Sequence, residues 1–498
     1  MSISSSSPNE IRRTSRLSGA AYLTIAQAVL LALGYVTHIL VGKIGGPPLY
    51  GVYGVVLSLQ SILNMLLTLG IPVATSKEVA EDEHNSGNIL KSAAIGQVSL
   101  ALALSVGTVL FARPIALLFG DESLTPIIRF TAVIYPFTGL YALLTNYFNG
   151  LHAFAIQAGL TVLYSVAKLG GSVGLLFPYG VRGALAGFGI GGAASALAGF
   201  TLARPTITGR SVFPVPIRRL LTFAGAFVGT SIALQILMSM DLFLVKRILH
   251  DNTLVGYYNA AVTLSRIPYF ILQALGFVFL PSVARLMHDN PEQARRFIRD
   301  VSRYLYLLLL PVTALAATTS KNLLRLFFNP SYDPAAQPLT LLMVALGLLS
   351  AFYLLATIAA GAGKPRVPFL VSWALIPLSV VLGFLLIPRF GLEGAAITTI
   401  LVSSIGAVGI GVYMYWRFRI TFPLTTLLRG FFATVLMVLP TYFIEPRVLL
   451  LPVEYVVLGI IYLLVLVALG EVKKGDLQRL TSLLPKGKFM GNKESALP

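Results

Sequence analysis

Two cations stand inside long apolar stretches of the sequence. Lys168 lies in a glycine-rich stretch, and Arg266 lies two residues before Pro268. A charged side chain at membrane depth is costly, and it usually faces a partner, a water-filled cavity or a substrate pathway. Two such cations facing one cavity would suit an anionic headgroup such as a pyrophosphate. The structural alternative for each is snorkelling or bonding to helix carbonyls.

Asp241 is an acid well inside an apolar stretch, shortly before Lys246 and Arg247. A salt bridge at a helix end is the structural interpretation of this carboxylate. Ion coupling, or gating between two halves of a transporter, is the functional interpretation.

Amide side chains also occur inside the apolar stretches. Each can bind a sugar hydroxyl or bridge two helices. His38 is a weaker candidate near the end of the first stretch. The amides taken as candidate cavity residues beside Arg266 and Lys168 are Asn64, Asn146 and Gln273.

No constellation for catalysis is present. The chain has no Cys, which excludes disulfides, thiolate-bound zinc, iron–sulfur clusters and a catalytic thiol. It has no Gly-rich phosphate loop and no HExxH motif, and its connection 43–48 carries no acid for a membrane glycosyltransferase. We therefore predict no catalytic residue, no metal and no cofactor, with a membrane enzyme as the competing class.

Composition identifies the elements that must position these residues. Apolar residues make up 56% of the chain, charged residues 11%, and mean hydropathy is +0.82. Apolar runs long enough to cross about 30 Å of hydrocarbon recur along the whole length. We predict an all-α polytopic membrane protein with about fourteen spans, at 17–42, 49–72, 92–112, 127–150, 154–177, 183–203, 219–245, 255–284, 303–320, 338–362, 367–388, 393–416, 428–446 and 452–470.

The positive charges predict the orientation. Of 37 Lys and Arg, 25 fall in the termini and the even-numbered connections and 9 in the odd-numbered ones. The positive-inside rule then places both termini in the cytoplasm of a cell membrane. The net charge of +18 is spread over short connections and forms no single stripe, which indicates membrane lipids as partners and argues against nucleic acid.

An internal repeat of about 210 residues predicts the architecture. Five segments match in order, with offsets between 205 and 211: 50–53 with 255–258, 69–72 with 278–281, 115–119 with 323–327, Gly150 with Gly361, and 179–184 with 390–395. Each unit holds six spans, so both insert with the same orientation and relate by an axis along the membrane normal. Parallel repeats with a site between them are a transporter architecture.

The repeat divides the chain into parts. Segment 285–303 further predicts a short amphipathic helix on the inner membrane surface. The predicted parts are a cytoplasmic tail 1–16, an N-lobe 17–203, a linker 204–218, a C-lobe 219–416, two extra spans in 428–470 and a basic cytoplasmic tail 471–498.

Two motifs resemble a known group of transporters. Asp241, an apolar stretch and then Gly256-x-Tyr258-x-x-Ala261 are similar to the span 7–8 signature of polysaccharide flippases. Segments 69–72 and 76–81 resemble the end of span 2 in the same group. The group is the multidrug/oligosaccharidyl-lipid/polysaccharide exporter superfamily, and the chain looks closest to its Wzx-type O-antigen and stage V sporulation protein B branches.

The resemblance implies two six-helix lobes in a V shape that rock to give alternating access. It implies a flippase, monomeric and without enzyme activity, for a polyprenyl-(pyro)phosphate-linked oligosaccharide moving from the cytoplasmic to the outer leaflet. Arg266 with Pro268 is similar to an essential Arg of the lipid II flippases, but the Arg residues that those proteins use in spans 1 and 2 are missing. Lipid II itself is therefore not the expected substrate.

The competing transporter is a cation-coupled multidrug antiporter of the same fold. Proton-coupled members resemble this chain but carry an acid in span 1, and 17–42 has none. Asp241 could serve as the ion-coupling group of such an antiporter, so this alternative stays open and with it a coupling cation.

Overall fold

The computed structural model describes residues 8–203, 217–289, 291–419, 424–442 and 448–471. Side chains are described for these residues apart from those at 8–18, 20, 217–228, 271–289, 291, 424, 442 and 449. Within this part the chain is helical and contains no strand, which confirms the all-α polytopic class. Gln273 lies on a described helix, but its side chain is outside the described set.

Fourteen α-helices make up the described part, joined by short connections and single 3-10 turns. They are α1 Pro8–Leu69, α2 Ile71–Glu81, α3 Ser86–Leu118, α4 Thr125–Thr131, α5 Tyr135–Gly150, α6 Phe154–Ala203, α7 Ile217–Leu249, α8 Asn252–Asp289, α9 Pro291–Thr318, α10 Ser320–Phe327, α11 Ala336–Gly361, α12 Arg366–Phe418, α13 Leu424–Val438 and α14 Leu451–Ala468.

Three of these helices bend back on themselves at a glycine. Gly46 in α1, Gly180 in α6 and Gly391 in α12 have φ values of 70°, 55° and 57°, which side chains with a Cβ rarely adopt. The two arms of α6 then lie side by side, since Ser172 Oγ donates to Ala184 O at 2.8 Å. Each bent helix is therefore a hairpin.

Seven described helical segments are long and apolar enough to cross a membrane, or eight if the bent pair α4–α5 forms one span. The three hairpins are among these seven, and each is too long for one crossing: the α6 segment has 50 residues and the α12 segment 53. Counting each arm separately brings the number towards fourteen, which stays a prediction.

Backbone geometry repeats between the two halves of the chain. Gly180 has ψ −132° and Gly391 has ψ −131°, and these two bends lie at matched positions of the repeat. An added Cβ would lie 1.8 Å from Leu175 O at Gly183 and 2.3 Å from a carbonyl oxygen of α12 at the matched Gly394, so both hairpins need glycine where their arms meet. This agreement supports a duplication, while the lobe boundaries stay predictions.

The two halves cross at their first bends. An added Cβ at Gly256 would lie 1.9 Å from Pro47 O, and one at Gly51 would lie 2.2 Å from Asn252 O. The crossing is reciprocal, because positions 51 and 256 differ by the same 205 residues as positions 47 and 252. The backbones of α1 and α8 therefore touch directly, and only glycine permits this approach.

Two further contacts close this end of the molecule, which we call the bend end and define as 42–51, 120–124, 246–256 and 328–335. Lys246 is 1% exposed, and its Nζ lies 2.5 Å from Asp121 Oδ2 of the first half. On the opposite flank Tyr332 Oη donates to Gly42 O at 2.9 Å. Four of the odd-numbered connections thus meet at one end, as their parity predicts, while the side of the membrane they face stays a prediction.

The expected amphipathic surface helix is wrong. Residues 291–303 instead form the first turns of α9, which continues without a break to Thr318. Ile298 is 1% exposed and Val301 is 7% exposed, and both belong to the main core of the protein. Neighbouring helices, and not lipid headgroups, cover the apolar face.

The last two helices dock on α9. Glu471 follows α14, is 4% exposed, and accepts from Arg303 Nε at 2.8 Å and from Arg429 Nη1 at 3.0 Å. Thr426 Oγ1 donates to the same carboxylate at 2.6 Å. The acid joins α9, α13 and the end of α14, so the two helices outside the repeat are fixed to the second half.

Candidate functional site

Lys168 is held inside the first half without a carboxylate. It is 6% exposed, and its Nζ lies over the rings of Tyr164 and Phe188, at 5.5 and 5.2 Å from their centroids. Among the described residues it forms no ion pair or hydrogen bond. The ammonium group lies next to α1, since a Cβ at Gly34 would be in van der Waals contact with Nζ at 3.8 Å. Aromatic faces stabilise the charge in part, and an anion could complete its coordination.

Arg266 is anchored on its own half, on a helix that contacts the other. Its Nη2 donates to Met238 O of α7, so one of its five donors is engaged. The side chain is half-buried. Two residues of α8 that flank it contact α1: Thr263 Oγ1 lies 2.9 Å from Tyr50 Oη, and the ring of Phe270 lies 6.4 Å from that of Tyr35. Arg266 therefore lies on a stretch of α8 that packs against the first half.

His38 lies on α1 beside the helix that carries Lys168. It is one helical turn after Gly34, where an added Cβ would lie 3.8 Å from Lys168 Nζ. Its Nδ1 lies 3.2 Å from Tyr50 Oη, which lies 2.9 Å from Thr263 Oγ1 of α8. His38, the weaker candidate in the sequence, therefore belongs to a polar chain that joins α1 to α8.

Asp241 is buried within the second half, at 5% exposure. It accepts hydrogen bonds from the backbone N–H of Leu242 at 2.8 Å, from Tyr258 Oη at 3.0 Å and from Thr399 Oγ1 at 3.4 Å. The predicted helix-end salt bridge is wrong, since Lys246 binds Asp121 instead. Asp241 joins α7, α8 and α12 and interacts electrostatically with Arg266.

The candidate amides differ in their surroundings. Asn146 Nδ2 donates to Ala142 O of its own helix at 2.9 Å, so part of its capacity is used locally. Asn64 is half-buried on the second arm of α1, and its Oδ1 is buried with no partner within the described part. The side chain of Gln273 lies outside that part. Of the two described amides, Asn64 therefore has the more unused hydrogen-bonding capacity.

Three buried polar groups of α1 are not among the candidates that the sequence indicates. Tyr35 Oη, Tyr53 Oη and Gln60 Oε1 are buried, and none has a hydrogen-bond partner in the described part of the chain. A buried polar group without a partner costs about 1–3 kcal/mol. A concentration of such groups needs a reason, such as water or a ligand. Helical spacing of Tyr53, Gln60 and Asn64 in the sequence was the available signal.

The bend end carries its own charges. Burial opposes ionisation of Asp121, but hydrogen bonds from Lys246 and Ser123 outweigh it and lower the pKa of the carboxyl. Arg325 donates to Asp333 and lowers the pKa of that carboxyl. Both acids therefore stay ionised at neutral pH, and the contact between Asp121 and Lys246 is an ion pair.

Together these residues form a site with a definite chemical character. The set consists of a cation from each half, His38, and unpartnered neutral polar groups of α1, the helix that contacts both cation-bearing helices. Such a set can bind a phosphate through its cations and hydroxyl groups through its amides and phenols. It has no arrangement of nucleophile and base.

A comparison with protein families finds a match over residues 17–287 with the model described as polysaccharide biosynthesis protein. The chain is 25% identical over 359 residues to the succinoglycan biosynthesis transport protein ExoT of Rhizobium meliloti, covering 69% of this chain and 68% of that one. The chain spans between 32% and 79% of the lengths of the curated relatives that it matches.

Solved structures share the fold. The lipid II flippase MurJ in an inward closed conformation matches with a TM-score of 0.73 and 16% identity, over 89% of this chain and 97% of that one. An inward-facing multidrug resistance MATE family transporter matches with a TM-score of 0.66 and 14% identity, over 80% and 98%.

Proposed function

Because the chain belongs to the polysaccharide biosynthesis protein family, as a membrane transporter of the multidrug/oligosaccharidyl-lipid/polysaccharide exporter superfamily, we propose that it flips a polyprenyl-(pyro)phosphate-linked oligosaccharide across the cell membrane. Transport runs from the cytoplasmic to the outer leaflet by alternating access, with both termini in the cytoplasm. The headgroup crosses between the halves while the prenyl chain stays in lipid.

The observation that carries the proposal is that α1 contacts both cation-bearing helices: a Cβ at Gly34 would lie 3.8 Å from Lys168 Nζ, and Tyr35 and Tyr50 contact Phe270 and Thr263, which flank Arg266 on α8. One cation comes from each half, so an anion bound between them contacts both halves at once. In the described part Lys168 has no hydrogen-bonding or ionic partner, and Arg266 uses one donor for a backbone carbonyl. A phosphate or pyrophosphate supplies the missing acceptors and sheds its water at lower cost there.

The closed bend end is consistent with alternating access. Contacts between α1 and α8, between Lys246 and Asp121, and between Tyr332 and Gly42 join the halves at the end predicted to face outside. Release on that side requires these contacts to separate and reform in each cycle.

Leaflet-resolved transport in proteoliposomes tests the proposal. The substrate is a fluorescent undecaprenyl-pyrophosphate oligosaccharide, and its exposure is read by an impermeant quencher or a sugar-specific enzyme. Wild-type protein is expected to transport the probe. The Arg266→Met and Lys168→Met variants are expected to transport it much more slowly. Arg113→Met is the matched control, because that cation is exposed and pairs with Glu122. Wild-type rates in both cavity variants would contradict the proposal.

A cation-coupled multidrug antiporter is the second candidate, favoured by the buried carboxylate of Asp241 with its Tyr258 and Thr399 donors. Export of cationic dyes driven by a proton or sodium gradient, and lost in Asp241→Asn, would establish it. No dye export, together with flipping of the lipid-linked probe, excludes it.

A further inference from the structure

A row of uncharged polar side chains runs along one face of α1 after its bend. Tyr53, Gln60 and Asn64 are separated by two helical turns and then by one, which places them on the same side of the helix. Tyr53 is 0% and Gln60 is 3% exposed, and a side-chain oxygen of all three is buried without a partner among the described residues. We call these three residues the polar row.

We infer that the polar row binds the sugar hydroxyl groups of the headgroup, next to the cations that bind its phosphate. The inference rests on the proposed function and adds to it a division of the site. The first half recognises the carbohydrate, and the boundary between the halves holds the charge. Substrate selection by sugar then belongs to α1.

The row lies beside the cations. The ring of Tyr53 is 5.6 Å from that of His38, which is one helical turn after Gly34, where an added Cβ would lie 3.8 Å from Lys168 Nζ. Gln60 is 14 residues from the bend of α1 and Lys168 is 12 residues from the bend of α6. At about 1.5 Å per residue, these two side chains lie roughly 20 Å from the bends. The bends adjoin, since a Cβ at Gly180 would lie 3.9 Å from a methyl carbon of Leu49, so the two groups are at similar depth.

The chemistry of the row fits a carbohydrate. Amides and phenols both donate and accept hydrogen bonds, as sugar hydroxyl groups do. A second anion would call for a further cation in the row, and an isoprenoid chain would call for apolar side chains; the three residues supply neither. Ligand sites place a few polar groups on a mainly apolar wall to fix orientation, and the row has this composition.

Gln97 is a second buried glutamine in the same half and provides a matched control. It is 0% exposed, and its Nε2 donates to Leu67 O at 2.8 Å and to Gly139 O at 3.1 Å. It therefore bridges three helices. Its Oε1, like that of Gln60, has no partner in the described part, so the two glutamines differ at Nε2. Gln60 forms no hydrogen bond through either end of its amide to a described residue. A structural role and a ligand role thus predict opposite behaviour at these two positions.

The test uses full-length protein in nanodiscs. Binding is measured for undecaprenyl pyrophosphate without sugar and for undecaprenyl-pyrophosphate oligosaccharides beginning with glucose, galactose or N-acetylglucosamine. Gln60→Met is expected to weaken the preferred sugar-bearing probe about tenfold and to leave the sugar-free probe within twofold. It should also leave the melting temperature of the empty protein unchanged or higher, because a buried amide without partners is replaced by an apolar side chain.

Gln97→Met is expected to lower the melting temperature and to shift the sugar-bearing and sugar-free probes alike. A Gln60→Met protein that behaves in this way would overturn the inference, since its amide would then be structural. Equal affinity of the wild type for the sugar-free and all sugar-bearing probes would also overturn it. Arg266→Met and Lys168→Met test the proposed function separately, because both must weaken the sugar-free probe.

Discussion

Tyr53 and Tyr258 occupy matched positions in the two halves, yet their hydroxyl groups have opposite surroundings. Tyr258 donates to Asp241 at 3.0 Å, whereas Tyr53 Oη is buried with no partner in the described part. The cations repeat the contrast. Arg266 of the second half donates to Met238 O, and Lys168 of the first half is held by aromatic faces alone in that part.

The difference shows that matched positions of a duplicated fold can have different partners. In the second half, Asp241 accepts from Tyr258 and Thr399, which joins α7, α8 and α12. In the first half, the matched Tyr53 Oη is unpaired within the described part, at a cost in stability. Such costs concentrate at functional sites. Tyr53 and Lys168 are therefore the positions at which we expect a ligand to bind the first half.

Replacing each cation by methionine should give the largest effects on transport and should separate the two halves by their stability. Transport is expected to fall about 100-fold or more for Arg266→Met and somewhat less for Lys168→Met, since each removes one side of the anion site. The melting temperatures should move apart. Arg266→Met leaves Met238 O without its donor and is expected to lower stability by about 1–2 kcal/mol.

Lys168→Met should leave stability unchanged or raise it, because no described acceptor loses a bond. Transport assays with thermal melting of the same preparations measure both effects. Equal destabilisation by the two substitutions would remove the distinction between the halves.

Alanine at the glycine crossing should affect both halves equally. Gly51→Ala and Gly256→Ala each place a Cβ within 2.2 Å of a carbonyl oxygen, and each is expected to cost about 1–3 kcal/mol. The double variant should cost less than the sum, since one separation of the helices admits both methyl groups. Spin labels on cysteines introduced at Lys43 and Lys321 can report that separation in a chain that has no other Cys. Additive costs with unchanged distances would contradict a reciprocal contact.

Removing the two matched hydroxyl groups gives the most direct comparison. Tyr258→Phe is expected to lower stability by about 1–2 kcal/mol, because Asp241 loses a donor while buried. Tyr53→Phe should be neutral or slightly stabilising in the empty protein. Denaturation of both variants in one detergent measures the difference. If Tyr53→Phe destabilises as much as Tyr258→Phe, its hydroxyl has a structural partner and the contrast fails.

Asp121 offers a smaller, pH-dependent test. It stands at the position matched by Asn329, and each accepts from the backbone N–H two residues later. The lowered pKa of Asp121 means that its stabilising effect is present above the ordinary aspartate pKa, near 4, and is lost as pH falls through the lowered value.

Asp121→Asn should therefore cost about 1 kcal/mol at neutral pH and nothing at the lowest pH. Stability curves of the two proteins between pH 7 and pH 2.5 are expected to converge. Parallel curves would assign the pH dependence to other acids.

From the sequence we could predict the features that depend on the energetic cost of a charge in an apolar helix or on local backbone geometry. Lys168 and Arg266 stood out because charges in apolar helices are energetically costly, and the bend at Gly46 lies in the connection 43–48 between the first two predicted spans. The partner of Lys246 was missed, since Asp121 is 125 residues away and only tertiary packing brings them together.

Whether a buried amide has hydrogen-bond partners likewise cannot be predicted from the sequence. Gln60 and Gln97 have the same side chain in equally apolar helices, and their difference lies in which carbonyls come within reach. The surface helix at 291–303 failed for a similar reason. An amphipathic pattern shows that one face is covered, but it does not show whether lipid or protein covers it.

The bend of α1 sets an order of assembly during synthesis. Its backbone at Tyr50 is bonded by Asn259, 209 residues later, and Gly42 O receives Tyr332 after 290 residues. The hairpin α6, in contrast, closes through contacts 12 and 35 residues apart. A chain made from its N-terminus therefore completes α6 long before the bend of α1 acquires its partners from α8 and from 328–335. Until then, the face of α1 that will contact the second half has no partner within the chain. This is the stage of synthesis at which binding by a membrane chaperone would have the largest effect.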